Sequence, residues 1–192
     1  MYDRLIANWV YGGLLAAMLL TGLAPVLTRG WPAALAATFL ATPAYRFHQF
    51  EEHDDGRFGH FVNRRLGGWN DVLSPLAIVV INVPGVWGIN ALSLWLAATV
   101  DLGFGLIAAY LMLINAIGHI VGMLVFRGYN PGLVTSVLLF LPLAVYLITA
   151  IDAAGGGTVT MHLTGLLLSL VIHALIVLHV VVERQRLRVE MR

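Results

Sequence analysis

Long apolar stretches, separated by short polar segments, run through almost the whole chain. A membrane-spanning helix needs about 20 predominantly apolar residues, and five stretches come close to or exceed that length without the strict alternation of a strand. They cover residues 5–27, 31–50, 102–126, 133–151 and 159–182. The pattern therefore predicts a bundle of membrane-spanning helices.

Residues 72–100 can be read in two ways, because Pro84 and Gly85 interrupt an otherwise apolar stretch. One kinked span there gives six spans in all and puts both termini on the same side of the membrane. Nine arginines then share that side and Arg29 alone faces the other, whereas two short spans would scatter the arginines over both sides. The excess of arginine in cytoplasmic segments of membrane proteins favours six spans with both termini cytoplasmic.

Composition agrees with this interpretation. The chain is 59% hydrophobic and only 11% charged, where soluble proteins carry about 25% charged residues. Backbone polar groups in lipid are satisfied only in helices or closed barrels, and the continuous Leu- and Ala-rich runs favour helices. We therefore predict an all-α fold, with residues 1–192 forming a single polytopic membrane domain in contact with the lipid bilayer. Residues 53–71 are predicted to be its polar cytoplasmic loop.

Several classes of function are excluded by what the chain lacks. Its formal net charge of +1 makes nucleic acid an unexpected partner. All eleven basic residues are arginine, so no lysine can form a Schiff base, and without cysteine there is no thiolate nucleophile and no cysteine-ligated metal. The chain has neither a Gly-rich phosphate-binding loop nor a Gly-x-Ser-x-Gly nucleophile elbow.

The most polar part of the second apolar stretch is its end, which reads His-Gln-Phe-Glu-Glu-His from His48 to His53. Charged groups near lipid are costly and are retained mainly for function. On a helix His48 lies on the same face as Glu51 and Glu52, three and four residues later, which is how one helix offers a metal both an imidazole and a carboxylate. His53 lies about 140° around the helix from His48 and is expected to face elsewhere. The alternative is a polar helix end solvated by lipid headgroups.

Two other apolar stretches carry polar groups at a similar depth. Asn115 and His119 are four residues apart, and His173 shares a helical stripe with Ser169. At 1.5 Å per residue, His119 and His173 lie about 10 Å and 15 Å from the cytoplasmic ends of their spans. The same half of the membrane is therefore predicted to hold polar groups from three helices, either as a site or as hydrogen bonds between helices.

The motif and its surroundings resemble a known family. His48-x-x-Glu51-Glu52, Asn115-x-x-x-His119 and the segment from Tyr129 to Gly132 with Thr135 are similar to the bacterial integral membrane proteins named for an HXXEE motif. This resemblance implies a bacterial inner-membrane protein and supplies no reaction. A looser similarity links Glu51, Glu52 and Arg57 to membrane-embedded prenyl-protein endopeptidases, although four residues separate the pair from the arginine here and three do so in that family.

We therefore expect a membrane enzyme that binds a divalent transition metal, zinc or iron, near the cytoplasmic face. The preferred reaction is hydrolysis of a lipophilic substrate, with one glutamate as general base on water. The alternatives are a di-iron oxidase and a small proton-coupled transporter that loads protons on the glutamates. The predicted metal ligands are His48, Glu51, Glu52, His119 and His173, and the predicted catalytic residues are Glu51 and Asn115.

Overall fold

The computed structural model describes residues 2–68 and 70–190. These residues contain seven helices, a short 3₁₀ turn at Asp54–Gly56 and the segments that connect them. No strand occurs among these residues, so the predicted all-α class is confirmed. The helices are α1 (Tyr2–Leu27), α2 (Ala33–His53), α3 (Arg57–Arg65), α4 (Pro75–Thr99), α5 (Leu102–Phe126), α6 (Leu133–Ala153) and α7 (Val159–Glu190).

Five of these helices, α1, α4, α5, α6 and α7, are long and apolar enough to cross a membrane, with mean hydropathy between 1.7 and 2.6. The sixth long helix, α2, is more polar and packs against α1, α4, α5 and α6. More than half of its residues are buried, 12 of 21. Because neighbouring helices cover α2, its polar side chains meet protein instead of lipid.

Residues 75–99 form one continuous helix, which confirms the prediction of a single span there. The helix widens into a π-helical turn at Ile81–Trp87, around Pro84. Proline lacks an N–H and its ring clashes with a carbonyl one turn earlier, and a wider turn relieves that clash. A second π-helical turn, Ser136–Phe140, lies in α6 and ends two residues before Pro142.

The centre of the bundle is built where α2, α5 and α6 meet. Small residues on α2 and α5 let the helix backbones approach closely, and larger side chains of α5 and α6 fill the remaining space. The fully buried members include Ala41, Ala108, Ala109, Ala116, Leu106, Met112, Phe140, Leu147 and Ile151. The outer faces of α1, α6 and α7 instead expose large apolar residues such as Leu15, Leu138 and Val177, as expected of helices that contact lipid.

The segment predicted as a polar loop, residues 53–71, is partly helical, which corrects that prediction. Its helix α3 buries Val62 against Val72, Ile78 and Val180, while Phe58 packs on the same cluster. Apolar residues three or four positions apart form this buried stripe. Many charged neighbours lower the mean hydropathy of the segment. A prediction based on long apolar runs therefore does not detect this helix.

The beginning of α1 and the last third of α7 lie at the same end of the bundle as the His48–His53 motif, which we call the motif end. The rings of Trp9 and His53 are 5.3 Å apart, and the Tyr11 hydroxyl donates to Asp54 Oδ1 at 3.0 Å. On α7, Val180 packs against α3 and α4. The chain has six long helices, and because each one returns to the opposite end of the bundle, an even number brings its start and its finish to the same end.

Candidate metal centre

The carboxylate of Glu52 lies among three imidazoles in the interior of the motif end. Its Oε2 atom is 3.5 Å from His48 Nε2 and 3.0 Å from His53 Nε2. Its Oε1 atom is 3.5 Å from His119 Nε2. His48, Glu52 and His119 are each more than 90% buried, so these groups interact largely out of reach of water.

His48, Glu52 and His119 offer one ligand atom each, and these atoms lie within 4.8 Å of one another. In the described residues this is the one group of three acidic, histidine or cysteine side chains with that geometry. Residues His48 and Glu52 come from α2 and His119 comes from α5. The structure thus brings together three of the five ligands predicted from the sequence.

Hydrogen bonds on the far side of each ring fix which nitrogen faces Glu52. Asn130 donates its amide to the His119 carbonyl at 2.9 Å, so its Oδ1 accepts from His119 Nδ1 at 2.7 Å. Thr135 Oγ1 gives its proton to Glu51 at 2.5 Å and therefore accepts from His48 Nδ1 at 2.9 Å. With both Nδ1 atoms protonated in the neutral rings, both Nε2 atoms carry lone pairs; this assignment follows from the hydrogen-bond network.

Between His48, Glu52 and His119 two imidazole lone pairs therefore face a carboxylate, and His53 Nε2 lies 3.0 Å from the same carboxylate. His48 Nε2 is buried and makes no hydrogen bond. Lone pairs facing a carboxylate at 3.5 Å repel unless a proton or a metal cation lies between them. Outer hydrogen bonds that fix the tautomer of a histidine are also usual in metal sites. The donor set and its surroundings thus fit a bound metal ion.

Glu51, predicted as both ligand and general base, points away from this cluster. Its Oε2 accepts from the Thr135 backbone N–H at 2.7 Å as well as from the Thr135 hydroxyl. Its Oε1 accepts from the Val134 backbone N–H at 3.0 Å and from the Tyr129 hydroxyl at 2.9 Å. Helix α6 begins here with free backbone N–H groups, and an anion at this position is favourable. Glu51 therefore caps α6 from a neighbouring helix.

Tyr129 lies in the loop between α5 and α6, outside the spanning segments. Partial burial and the Glu51 carboxylate raise the pKa of the Tyr129 phenol above its usual value, so the hydroxyl remains a donor to Glu51. This bond links the loop directly to the motif on α2.

His53, expected to face elsewhere, is the closest imidazole to Glu52. The backbone at His53 has φ −116° and ψ −2°, so the helical rotation of 100° per residue no longer holds at this last position. A series of polar side chains contacts the His53 ring. Asn82 Nδ2, on α4, lies 3.2 Å from His53 Nε2, and Gln49 donates to Asn82 Oδ1 at 2.8 Å. Trp87 in turn donates to Gln49 at 2.6 Å. Helical spacing alone could not reveal this role of His53.

Gly132 brings its backbone against the two ligand imidazoles. A Cβ atom at this position would lie 2.7 Å from His119 Cε1 and 2.8 Å from His48 Cε1. Its φ of +95° is also one that side-chain-bearing residues rarely adopt. Both facts require glycine here, and the chain thereby closes one side of the cluster.

A cavity of about 570 Å³ opens on the other side of the cluster, within the size range of ligand-binding sites. The three candidate ligands and His53 line it, together with mainly apolar residues of α3, α4, α5 and α7. Asn115 and His173 line it as well. Asn115 Oδ1 is buried without a hydrogen-bond partner, whereas His173 Nδ1 donates to the Ser169 carbonyl at 2.8 Å. His173, predicted as a ligand, thus lies in the cavity wall outside the group of three.

The profile of one protein family, described as proteins of unknown function with an HXXEE motif, matches residues 39–147, more than half of the chain. The chain belongs to the HXXEE family. The matched region contains the three candidate ligands as well as Asn130 and Thr135, which orient them. Within this HXXEE motif the histidine and the second glutamate join the cluster, and the first glutamate caps α6. Neither a search of curated proteins nor a search of solved structures gave a match.

Proposed function

We propose that this HXXEE protein is a membrane-embedded, metal-dependent hydrolase that acts on a lipophilic substrate at the motif end. The observation that carries the proposal is the buried, acceptor-only cluster of His48, Glu52 and His119. Two histidines and one glutamate are a known ligand set of catalytic zinc, which leaves a fourth position for water or substrate. The adjoining cavity of about 570 Å³ provides space for that substrate.

Zinc or ferrous iron is the cation we assign to this nitrogen- and oxygen-rich set. When bound, the ion supplies a Lewis acid and a bound water that ionises near neutral pH. The protein holds the two ligand rings through Asn130 and Thr135 and excludes bulk water from them. With the Glu51 carboxylate committed to α6, one carboxylate remains in the cluster, which supports a single ion over the di-iron alternative.

The cavity wall supports a lipophilic substrate. Several apolar lining residues on α5 and α7 are exposed on the outer surface of the bundle: Ile117 (45%), Val121 (49%) and Val177 (62%). The cavity therefore opens between these helices on the flank that faces lipid. A substrate dissolved in the bilayer reaches the cluster through this opening without crossing water.

His173 is the general base of the proposed reaction. Its Nδ1 proton is held by the Ser169 carbonyl, so Nε2 carries a free lone pair. In hydrolysis the water oxygen bonds to the electrophilic atom of the substrate while the bond to the leaving group breaks. The proton taken by Nε2 passes to the leaving group. Asn115, with its unpartnered Oδ1, accepts a hydrogen bond from the substrate.

His173→Gln is expected to reduce hydrolysis by about 10²–10⁴-fold, the range that a general base contributes, while metal content stays unchanged. The measurement compares turnover of long-chain esters, amides and phosphoesters in vesicles with metal content from elemental analysis. His179→Gln is the matched control, because His179 is on the same helix and outside the cavity lining. Loss of metal in His173→Gln would instead identify His173 as a ligand, and unchanged turnover would contradict the assignment.

We further propose that the motif end faces the cytoplasm of a bacterial cell. The segments at that end carry most of the arginines, whereas Arg29 lies in the turn at the opposite end. Reporter fusions at residue 156 and after Arg192 are expected to report opposite sides, with the second one cytoplasmic. Matching signals from the two fusions would contradict this orientation.

A further inference from the structure

A second cavity, of about 680 Å³, lies at the motif end between α1, α3 and α4. We call it the vestibule. Its lining includes the polar side chains of Tyr11, Asp55, His60, Asn63 and Asp71. Asp55, His60 and Asp71 are exposed, so the vestibule opens toward the aqueous side of the motif end. This polar mouth contrasts with the apolar flank through which the other cavity opens.

The two cavities share a wall, and its polar member is His53. This residue lines both cavities, as do the apolar residues Leu73 and Ile78. One ring nitrogen, Nε2, lies 3.0 Å from Glu52, while the other, Nδ1, is buried without a hydrogen-bond partner. Trp9, also in the vestibule lining, packs its ring 5.3 Å from the imidazole. A single imidazole thus separates the vestibule from the carboxylate at the centre of the cluster.

Hydrolysis of a lipophilic molecule needs two reactants of opposite solubility. Water partitions poorly into a cavity with apolar walls and few polar partners, and a long hydrocarbon chain is poorly accommodated by a vestibule with charged groups at its mouth. A site with one opening would have to admit both. Here a cavity with a polar mouth and a mainly apolar cavity meet at His53, which lies next to the same carboxylate.

We propose that the vestibule is the route by which water and other small polar solutes reach and leave the metal centre, with His53 as the partition between the two cavities. The lipophilic reactant enters separately, between α5 and α7. This inference rests on the proposed function, because the route serves a metal-dependent hydrolysis. It assigns to the vestibule a ligand class, small polar solutes, that differs from the lipid-soluble class of the other cavity.

Extraction of the bound metal by a water-soluble chelator tests the route without an activity assay. Ala7→Phe adds a ring to the vestibule wall at an exposed position and is expected to slow extraction several-fold. Leu5→Phe is the matched control, since Leu5 is on the same helix, is 59% exposed and lies outside the vestibule lining. Gly118→Leu fills the apolar cavity, where a Cβ atom meets no neighbour within 4 Å, and is expected to leave extraction unchanged.

Thiol labelling gives a second measurement that holds even if no metal binds. The chain contains no cysteine, so Ile6→Cys in the vestibule and Ile176→Cys in the apolar cavity are each the one thiol present. A charged, water-soluble thiol reagent is expected to label Ile6→Cys and to spare Ile176→Cys, while an uncharged lipid-soluble maleimide labels Ile176→Cys.

The outcomes separate the route from the function it serves. Two results would overturn the separate water route. One is metal extraction that is slowed by Gly118→Leu but not by Ala7→Phe, and the other is a charged reagent that reacts equally with both thiols. Purified protein without metal would overturn the proposed hydrolase, while the labelling pattern would still decide whether the vestibule admits polar solutes.

Discussion

Glu52→Gln is expected to abolish stoichiometric metal binding and, with it, hydrolysis. The substitution removes the charge that His48, His53 and His119 surround, and an amide N–H can donate to a histidine lone pair, so the fold is retained without a cation. Loss of an outer partner of a ligand costs about 10–100-fold in metal affinity, and loss of a ligand itself is expected to cost more. Elemental analysis and zinc titration of purified protein, with circular dichroism as the test of folding, measure the effect.

Glu51→Gln is the matched control, because it makes the same chemical change one residue away. The new amide group faces backbone N–H donors of α6, so we expect a lower unfolding temperature. Metal remains bound at one ion per chain, with affinity weakened within the about 10–100-fold range of an outer partner, since Glu51 orients His48 only through Thr135. If the two variants lose metal equally, the assignment of the two glutamates to different roles is wrong.

Gly132→Ala is expected to have the second largest effect. The added Cβ would lie 2.7 Å and 2.8 Å from the two ligand rings, and the left-handed backbone costs a non-glycine residue about 1–2 kcal/mol. Either the rings move apart or the start of α6 shifts, and both changes spread the three ligand atoms. We expect a loss of metal affinity beyond about 100-fold, the upper end for an outer partner of a ligand, together with a lower unfolding temperature.

Gly128→Ala is the control for this experiment. Gly128 belongs to the same loop, and a Cβ atom there meets nothing within 4 Å. It is expected to bind metal and unfold like the unmodified protein. Unchanged metal affinity in Gly132→Ala would show that the backbone at residue 132 does not confine the imidazoles.

The long helices were predictable because lipid leaves few alternatives for a chain this apolar. Spans predicted at residues 102–126 and 133–151 correspond to α5 (Leu102–Phe126) and α6 (Leu133–Ala153). The ends of α7 and the existence of α3 were harder to predict. Helix α7 continues past residue 182 through its arginine-rich part. Helix α3 depends on packing against Val72, Ile78 and Val180, which lie outside the sequence of α3 and so do not appear in its own hydrophobic pattern.

The candidate site was predictable in its membership but not in its division of roles. Spacing put Glu51 and Glu52 equally within reach of the His48 face, so no argument from one helix could separate them. The choice is made by the α6 amides, which hold Glu51, and by His119, which approaches Glu52 from α5. His53 escaped prediction because the helix ends at that residue, and a polar side chain on α4 holds it from outside the motif.

The π-helical turn in α4 changes which face of that helix meets its neighbours. A π-helical turn holds one residue more than an α-helical turn, which rotates everything beyond it by about 100°. Within the turn, Asn82 faces His53 and Gln49; beyond it, Ser93 accepts from the backbone N–H of Ala108 on α5. The extra residue thus allows one helix to present a polar side chain to the surroundings of the cluster and another to α5.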